Sequence, residues 1–276
     1  MKPVCLRAIL SMTLLAPAAC VEMAEGEVDD APLGAAVSAI HADNALNPNA
    51  LNPNALSPYA LGTGQEVKQA IQAPGPEGDL SRQLLRYVVR CALKPSQSVS
   101  FTWTDSQGAL HAETYPGSLG LAESWSGAPL TSPQHRRWVS GCLAALVNWY
   151  GTSVMVSLRG AHPLLVDPED DEVAEYDVLE GAFWGDLFSS TPYVRACYRA
   201  ANVDYVRQHQ RDCAAGHVST DAATGQTTVE DCGMVEVVGP CDTLCSAPMG
   251  DGFFPGCSEQ PGSVPPVGEI ITTWLH

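Results

Sequence analysis

The chain has 276 residues, of which 45% are hydrophobic and 16% charged, the balance of a folded chain rather than a charge-driven disordered one. Lys and Arg total 14 against 31 Asp and Glu, a formal charge of −17. Such a surface repels polyanions, which excludes nucleic acid as a partner. No apolar run reaches the roughly 18 residues that a bilayer-spanning helix needs.

Residues 1–20 carry Lys2 and Arg7, then an apolar stretch from Ala8 to Leu15, then small residues ending at Ala18, Ala19 and Cys20. This is the layout of a secretory signal peptide over 1–19. Two cleavages are compatible with it: after the Ala16-Pro17-Ala18 stretch, or before Cys20 with acylation of that cysteine. Pro17 stands where the second route favours a large apolar residue, and both stay open. Membrane contact is therefore expected only through a lipid on Cys20, and the location is secreted or cell envelope. Losing Lys2 and Arg7 with the leader takes the charge from −17 to −19.

With Cys5 and Cys20 set aside, eight cysteines remain: Cys91, Cys142, Cys197, Cys213, Cys232, Cys241, Cys245 and Cys257. An even number behind a signal peptide predicts four disulfides. The rival is zinc on Cys241 and Cys245 with Cys232, Cys257 or His217, but the C-x3-C spacing has no second close pair to complete a tetrahedral set. No metal and no cofactor are expected.

Residues 20–78 are rich in Ala, Pro, Asn and acids and read as a tether. A five-residue period runs through them: NALNP at 44–48, NALNP at 49–53, NALSP at 54–58, then YALG. Each proline removes a backbone donor and pushes its predecessor to extended geometry, so the expectation is an extended or turn-rich spacer. A pentapeptide solenoid would also repeat leucine every fifth residue, but four copies make about one coil. The third possibility is copies read one by one by a partner or a modifying enzyme.

The folded domain is expected over 79–276. Asp79 or Ser81 can cap a helix through Leu93, with Leu84, Val88 and Cys91 on one face and Pro95 stopping it. SVSFTWTD (98–105) and ALHAETY (109–115), separated by Ser106, Gln107 and Gly108, predict a β-hairpin. A second helix is predicted from Pro133 or Gln134 to Tyr150, and two helices each presenting a cysteine make Cys91–Cys142 the first pairing to expect. SVMVSLRG (153–160) reads as a strand, DPEDDE (167–172) as an acidic loop, and DVLEGAFWGDLF (177–188) as a strand entering a Gly-broken turn. A short helix through Arg211, a cysteine-rich loop region and a strand at Ile270 to Trp274 complete the chain. The fold class is α+β: two core helices on a largely antiparallel sheet, with a disulfide-rich C-terminal subregion.

RYVVRCAL (86–93), the W-V-S-x-C-L helix at Trp138 to Leu143, SLRG (157–160), EGAFWGDLF (180–188), the late cysteines and the terminal hydrophobic strand follow one another in an order that resembles a family of secreted proteins and lipoproteins of myxobacteria with no established activity. The likeness covers about residues 82–276. It implies secretion and a shared fold and transfers no catalytic residue.

No G-x-S-x-G, H-E-x-x-H, P-loop or dinucleotide fingerprint occurs; Gly117-Ser118-Leu119-Gly120 is one residue short of the first. A dispersed triad needs no motif, so His111, His135 or His162 remain open to one. Glu180-Gly-Ala-Phe-Trp-Gly-Asp186 is the most site-like stretch, with Phe183 and Trp184 as a stacking surface between two carboxylates, as in a glycosidase. The plainer reading is a core strand whose aromatics pack. Asp167, Glu169 and Asp171 alternate like ligands of a loose surface calcium site. Arg136 and Arg137 can grip an anion or pair with carboxylates; Lys94 apart, the basic residues from Arg82 to Arg211 are all arginine, which suits fixed ion pairs.

The expectation for function is a non-enzymatic envelope module whose hairpin and Trp184 segment face a protein or glycan. The alternative is a secreted hydrolase of envelope glycan or peptide bonds with Glu180, Asp186 and His135 as its groups.

Overall fold

The computed structural model describes residues 39–40, 44–51, 65–127, 129–249, 252–258 and 267–276. All lie within one compact unit, Ala36–His276. The leader, Cys20 and most of the expected tether fall outside the described residues.

In chain order the elements are β1 (Ala39–Ile40), α1 (Gln65–Gln72), α2 (Pro76–Ala92), β2 (Ser98–Thr104), β3 (Leu110–Pro116), α3 (Pro133–Ala145), β4 (Val156–Arg159), α4 (Asp170–Glu175), β5 (Val178–Asp186), β6 (Tyr193–Tyr198), α5 (Val203–Gln208), β7 (His217–Thr220), β8 (Thr227–Glu230), β9 (Val235–Pro240), α6 (Cys241–Leu244) and β10 (Ile271–Leu275). The main sheet runs β1-β4-β10-β5-β6-β9, antiparallel except between β6 and β9. β2–β3 and β7–β8 are separate hairpins. The fold is α+β, as the sequence predicts.

Both faces of the sheet are covered. Phe183, Val194, Ala196 and Ile271 pack with α2 and α3 in the larger core, while Ala182, Trp184, Cys197 and Ile270 pack with Cys241, Phe254 and Cys257 in a smaller one. Burial on both faces explains why β5 is a nearly continuous buried run, with both Phe183 and Trp184 inside, rather than a strand alternating between core and solvent.

Four disulfides form: Cys91–Cys142, Cys197–Cys241, Cys213–Cys232 and Cys245–Cys257. The first joins α2 to α3, as expected. The zinc alternative needed Cys241 and Cys245 as thiolates on one ion, and each is instead bonded to a different cysteine. These bridges place the domain in an oxidising, extracytoplasmic environment. Among the described residues no helix is long and apolar enough to cross a membrane.

The structure corrects several boundaries. Residues 44–51 belong to the domain and are no spacer: Leu46, Ala50 and Leu51 are buried in the main core. Main-chain bonds from Leu46 N–H to the Leu146 carbonyl (3.2 Å) and from Asn148 N–H to the Leu46 carbonyl (2.9 Å) hold the segment. That pairing also ends α3 at Ala145 instead of Tyr150, because 146–148 turn to meet Leu46. Helix α2 starts at Pro76, three residues before Asp79: Gly75 enters with φ 80° and proline occupies the first turn, where its missing donor costs nothing. The 167–172 segment is largely exposed, as an acidic loop should be, but it turns helical from Asp170, and Glu172 alone points inward to accept from Ser157 Oγ at 2.7 Å.

Candidate binding cleft

The residues expected to form a site on β5 are used for architecture. Glu180 falls at a register slip, since Thr273 pairs with Gly181 and Trp274 with Leu179, leaving Glu180 over. Its carboxylate receives Arg211 Nε at 3.1 Å and Nη2 at 2.8 Å, and both partners are buried. Arg211 also donates to the Val147 and Ala145 carbonyls, satisfying the end of α3. Asp186 is held by Arg136 through Nε at 3.2 Å and Nη2 at 3.0 Å, and Arg137 meets Glu269 at 3.5 Å. Six residues of strand put Glu180 and Asp186 roughly 20 Å apart, beyond any glycosidase carboxylate spacing. Phe183 and Trp184 are 0% exposed and enter different cores, so they offer no stacking surface. His135 lies in the first turn of α3, its N–H donating to Ser132 Oγ; burial, and after it the neighbouring His135, holds the His162 imidazole below its usual pKa.

The hairpin, in contrast, faces a cleft. Asp105 closes the β2–β3 turn by accepting from the Gln107 and Ala109 N–H groups, and His111 bonds its second oxygen at 2.8 Å. The His111 bond, followed by the Ala109 amide, holds the Asp105 carboxyl below its usual range. This fixes the register, so Trp103 lies opposite His111, Phe101 opposite Glu113, and Val99 opposite Tyr115. With period two these six side chains share one face. The face packs toward α2, whose Arg82 guanidinium lies 3.6 Å over the Trp103 ring. Arg82 is itself fixed by the Ile71 and Ala73 carbonyls and by Asp79.

Between these elements is a cleft of about 650 Å3 whose walls include Asn47, Asn49, Asp79, Arg82, Gln83, Arg86, Trp103, Glu113 and Tyr115. Trp103 Nε1 donates to Glu113 Oε1 at 3.2 Å. Burial, and after it the Glu113 charge, pushes the Tyr115 phenol up to about 12, so it stays a neutral donor at physiological pH. Gln83 accepts from Asn47 N–H and donates to the Ala45 carbonyl, tying the repeat segment to α2. The side-chain amide of Asn49 has no partner among the described residues. Two acids face two arginines, so this cleft is charge-balanced in a chain of −17. The hairpin was an expected working surface; the contribution of Asn47 and Asn49 was not, because the repeat read as spacer.

A second convergence lies elsewhere. Asp212, 2% exposed, accepts from His217 Nδ1 at 2.8 Å and from Tyr150 OH at 3.0 Å, and Trp149 stacks on the imidazole at 4.3 Å. Burial and, second, the Asp212 charge raise the Tyr150 phenol. The sequence gives little sign of this pair, since Asp212 and His217 are separated by a cysteine-bearing loop without a motif. No protein family, no curated protein and no solved structure matches this chain.

Proposed function

We propose that the chain is a non-enzymatic binding module of the cell envelope, secreted or held by a lipid on Cys20, and that its helix–hairpin cleft takes a neutral glycan. The charge balance of the cleft carries the reading. A strongly acidic protein that sets Asp79 and Glu113 against Arg82 and Arg86, and adds the amides of Asn47 and Asn49, offers paired donors and acceptors to hydroxyl groups without attracting ions. The cleft volume falls in the usual range for small-ligand sites. The four disulfides supply a rigid extracytoplasmic frame, and the resemblance to secreted myxobacterial proteins agrees with that location.

The test is binding of the full chain to immobilised peptidoglycan and envelope polysaccharide fragments, with Asn49→Ala and Glu113→Gln beside it. Each variant is expected to weaken binding by about tenfold, the loss of one good hydrogen bond, with an unchanged thermal melt. Glycan binding that both variants leave intact would place the site elsewhere.

A second reading is favoured by the Asp212–His217 pair: a hydrolase in which the buried carboxylate orients the imidazole to activate water. It replaces Glu180, Asp186 and His135 as the groups of that alternative. Slow release of products from peptidoglycan by the native protein, abolished in His217→Gln, would support it.

A further inference from the structure

The repeat is the sequence motif that cleft binding leaves unexplained. Residues 44–51 read Asn-Ala-Leu-Asn-Pro-Asn-Ala-Leu and fill a groove made for them. Asn44 is 0% exposed, and its side-chain amide imitates a strand, Nδ2 donating to the Val154 carbonyl while Oδ1 accepts from Val154 N–H at 2.5 Å. Leu46 is equally buried and exchanges main-chain bonds with 146–148. Pro48 lies against Gly233, whose φ is +64° and where an added Cβ would sit 2.4 Å from the Pro48 carbonyl oxygen. Ala50 and Leu51 are buried, and only Asn47 and Asn49 are exposed.

The same eight residues recur at 49–56. At 54–61 the run is Asn-Ala-Leu-Ser-Pro-Tyr-Ala-Leu, which differs only at the two places that are exposed in the seated copy. The repetition thus preserves each buried contact of the groove and varies what faces solvent, the pattern of a packing constraint rather than of a linker.

We propose that this groove is a peptide site specific for Asn-Ala-Leu-x-Pro-x-Ala-Leu, and that residues 49–56 are its alternative occupant, reached by a five-residue slip of the chain. The slip leaves residues 57–64 to join the seat to α1, a reach of up to about 27 Å. The β1 pairing passes to Asn44 and Ala45 because it is main-chain bonding that any side chain permits. The exposed positions become Asn52 and Asn54, so the cleft wall keeps its amides, while the segment before the seat gains five residues, at most about 17 Å. The site stands whether or not the cleft binds a glycan.

The experiment uses the full chain in three forms: Asn44→Ala, Asn49→Ala/Asn54→Ala, and all three substitutions together. Asn44→Ala leaves the unfolding midpoint within about 1 °C, because Asn49 takes the seat. The Asn49/Asn54 variant is equally neutral, because Asn44 still holds it. The triple variant loses the buried amide pairing in each register and melts about 5 °C lower. Hydrogen exchange on Asn44→Ala shows protection gained at 52–56 with Val154 still protected. An Asn44→Ala protein as destabilised as the triple variant, or a neutral triple variant, overturns the proposal. Recovery in Asn44→Ala that depends on protein concentration, with a dimer in light scattering, assigns the seat to a second chain and overturns the slip.

Discussion

Glu180 and Arg211 at the centre of the sheet, and Asp79, Arg82 and Glu113 around the cleft, are charged groups of the same kinds in opposite surroundings. The first pair is dry and fully used: the guanidinium satisfies a carboxylate and two helix-end carbonyls, and nothing is left to meet a ligand. Around the cleft Arg82 is equally fixed, but Asp79 is two-thirds exposed and Asn49 keeps its amide toward solvent. Burial with complete satisfaction marks architecture, while partial exposure with donors and acceptors to spare marks a binding surface. Substitutions should therefore separate the regions by stability at one and by recognition at the other.

The largest expected effect is at the dry pair. Glu180→Gln or Arg211→Met leaves an isolated charge or bare carbonyls, costing about 3–5 kcal/mol in urea unfolding, whereas Glu180→Leu with Arg211→Met recovers much of it. A loss under 1 kcal/mol for the single variants would show that water reaches the pair and would erase the contrast. Removing Cys91–Cys142, which closes a 51-residue separation between the two core helices, costs about 4 kcal/mol on loop entropy, measured as the shift in unfolding midpoint of the double alanine variant. Next comes Tyr115. Its phenol ionises near 12 when folded against about 10 when unfolded, so between those values the folded state binds the extra proton and stability falls as pH rises. The drop is about 2 kcal/mol from pH 10 to 12, and Tyr115→Phe should flatten that part of the pH profile. The smallest stability effect belongs to Asn49→Ala, within about 0.5 kcal/mol for a surface residue, although it removes a cleft amide.

Local rules made much of this legible. The hairpin follows from alternating SVSFTWT and LHAETYP around a Gly-bearing turn, and the two helices announced the first disulfide by each carrying a cysteine on an apolar face. The cleft was legible only as its hairpin half. Its other wall comes from Asn47 and Asn49, in a segment whose prolines and asparagines look like spacer until Leu46 is seen paired beside 146–148. The error at β5 has the same source. Two glycines, two aromatics and two carboxylates compose a site on paper, but whether a strand is covered on one face or two depends on remote elements, here α3 and the Cys197–Cys241 region. Asp212 and His217 likewise meet only through the fold.

The most direct test of the cleft is the set of indole N–H resonances of the six tryptophans, followed while a neutral envelope oligosaccharide is titrated into the full chain. Trp103, identified with Trp103→Phe, is expected to shift first and to saturate, since its N–H bonds Glu113 at the wall, while the buried Trp184 stays in place. A saturable shift at Trp149 with Trp103 unmoved would contradict the account and hand the ligand to the Asp212–His217 pair.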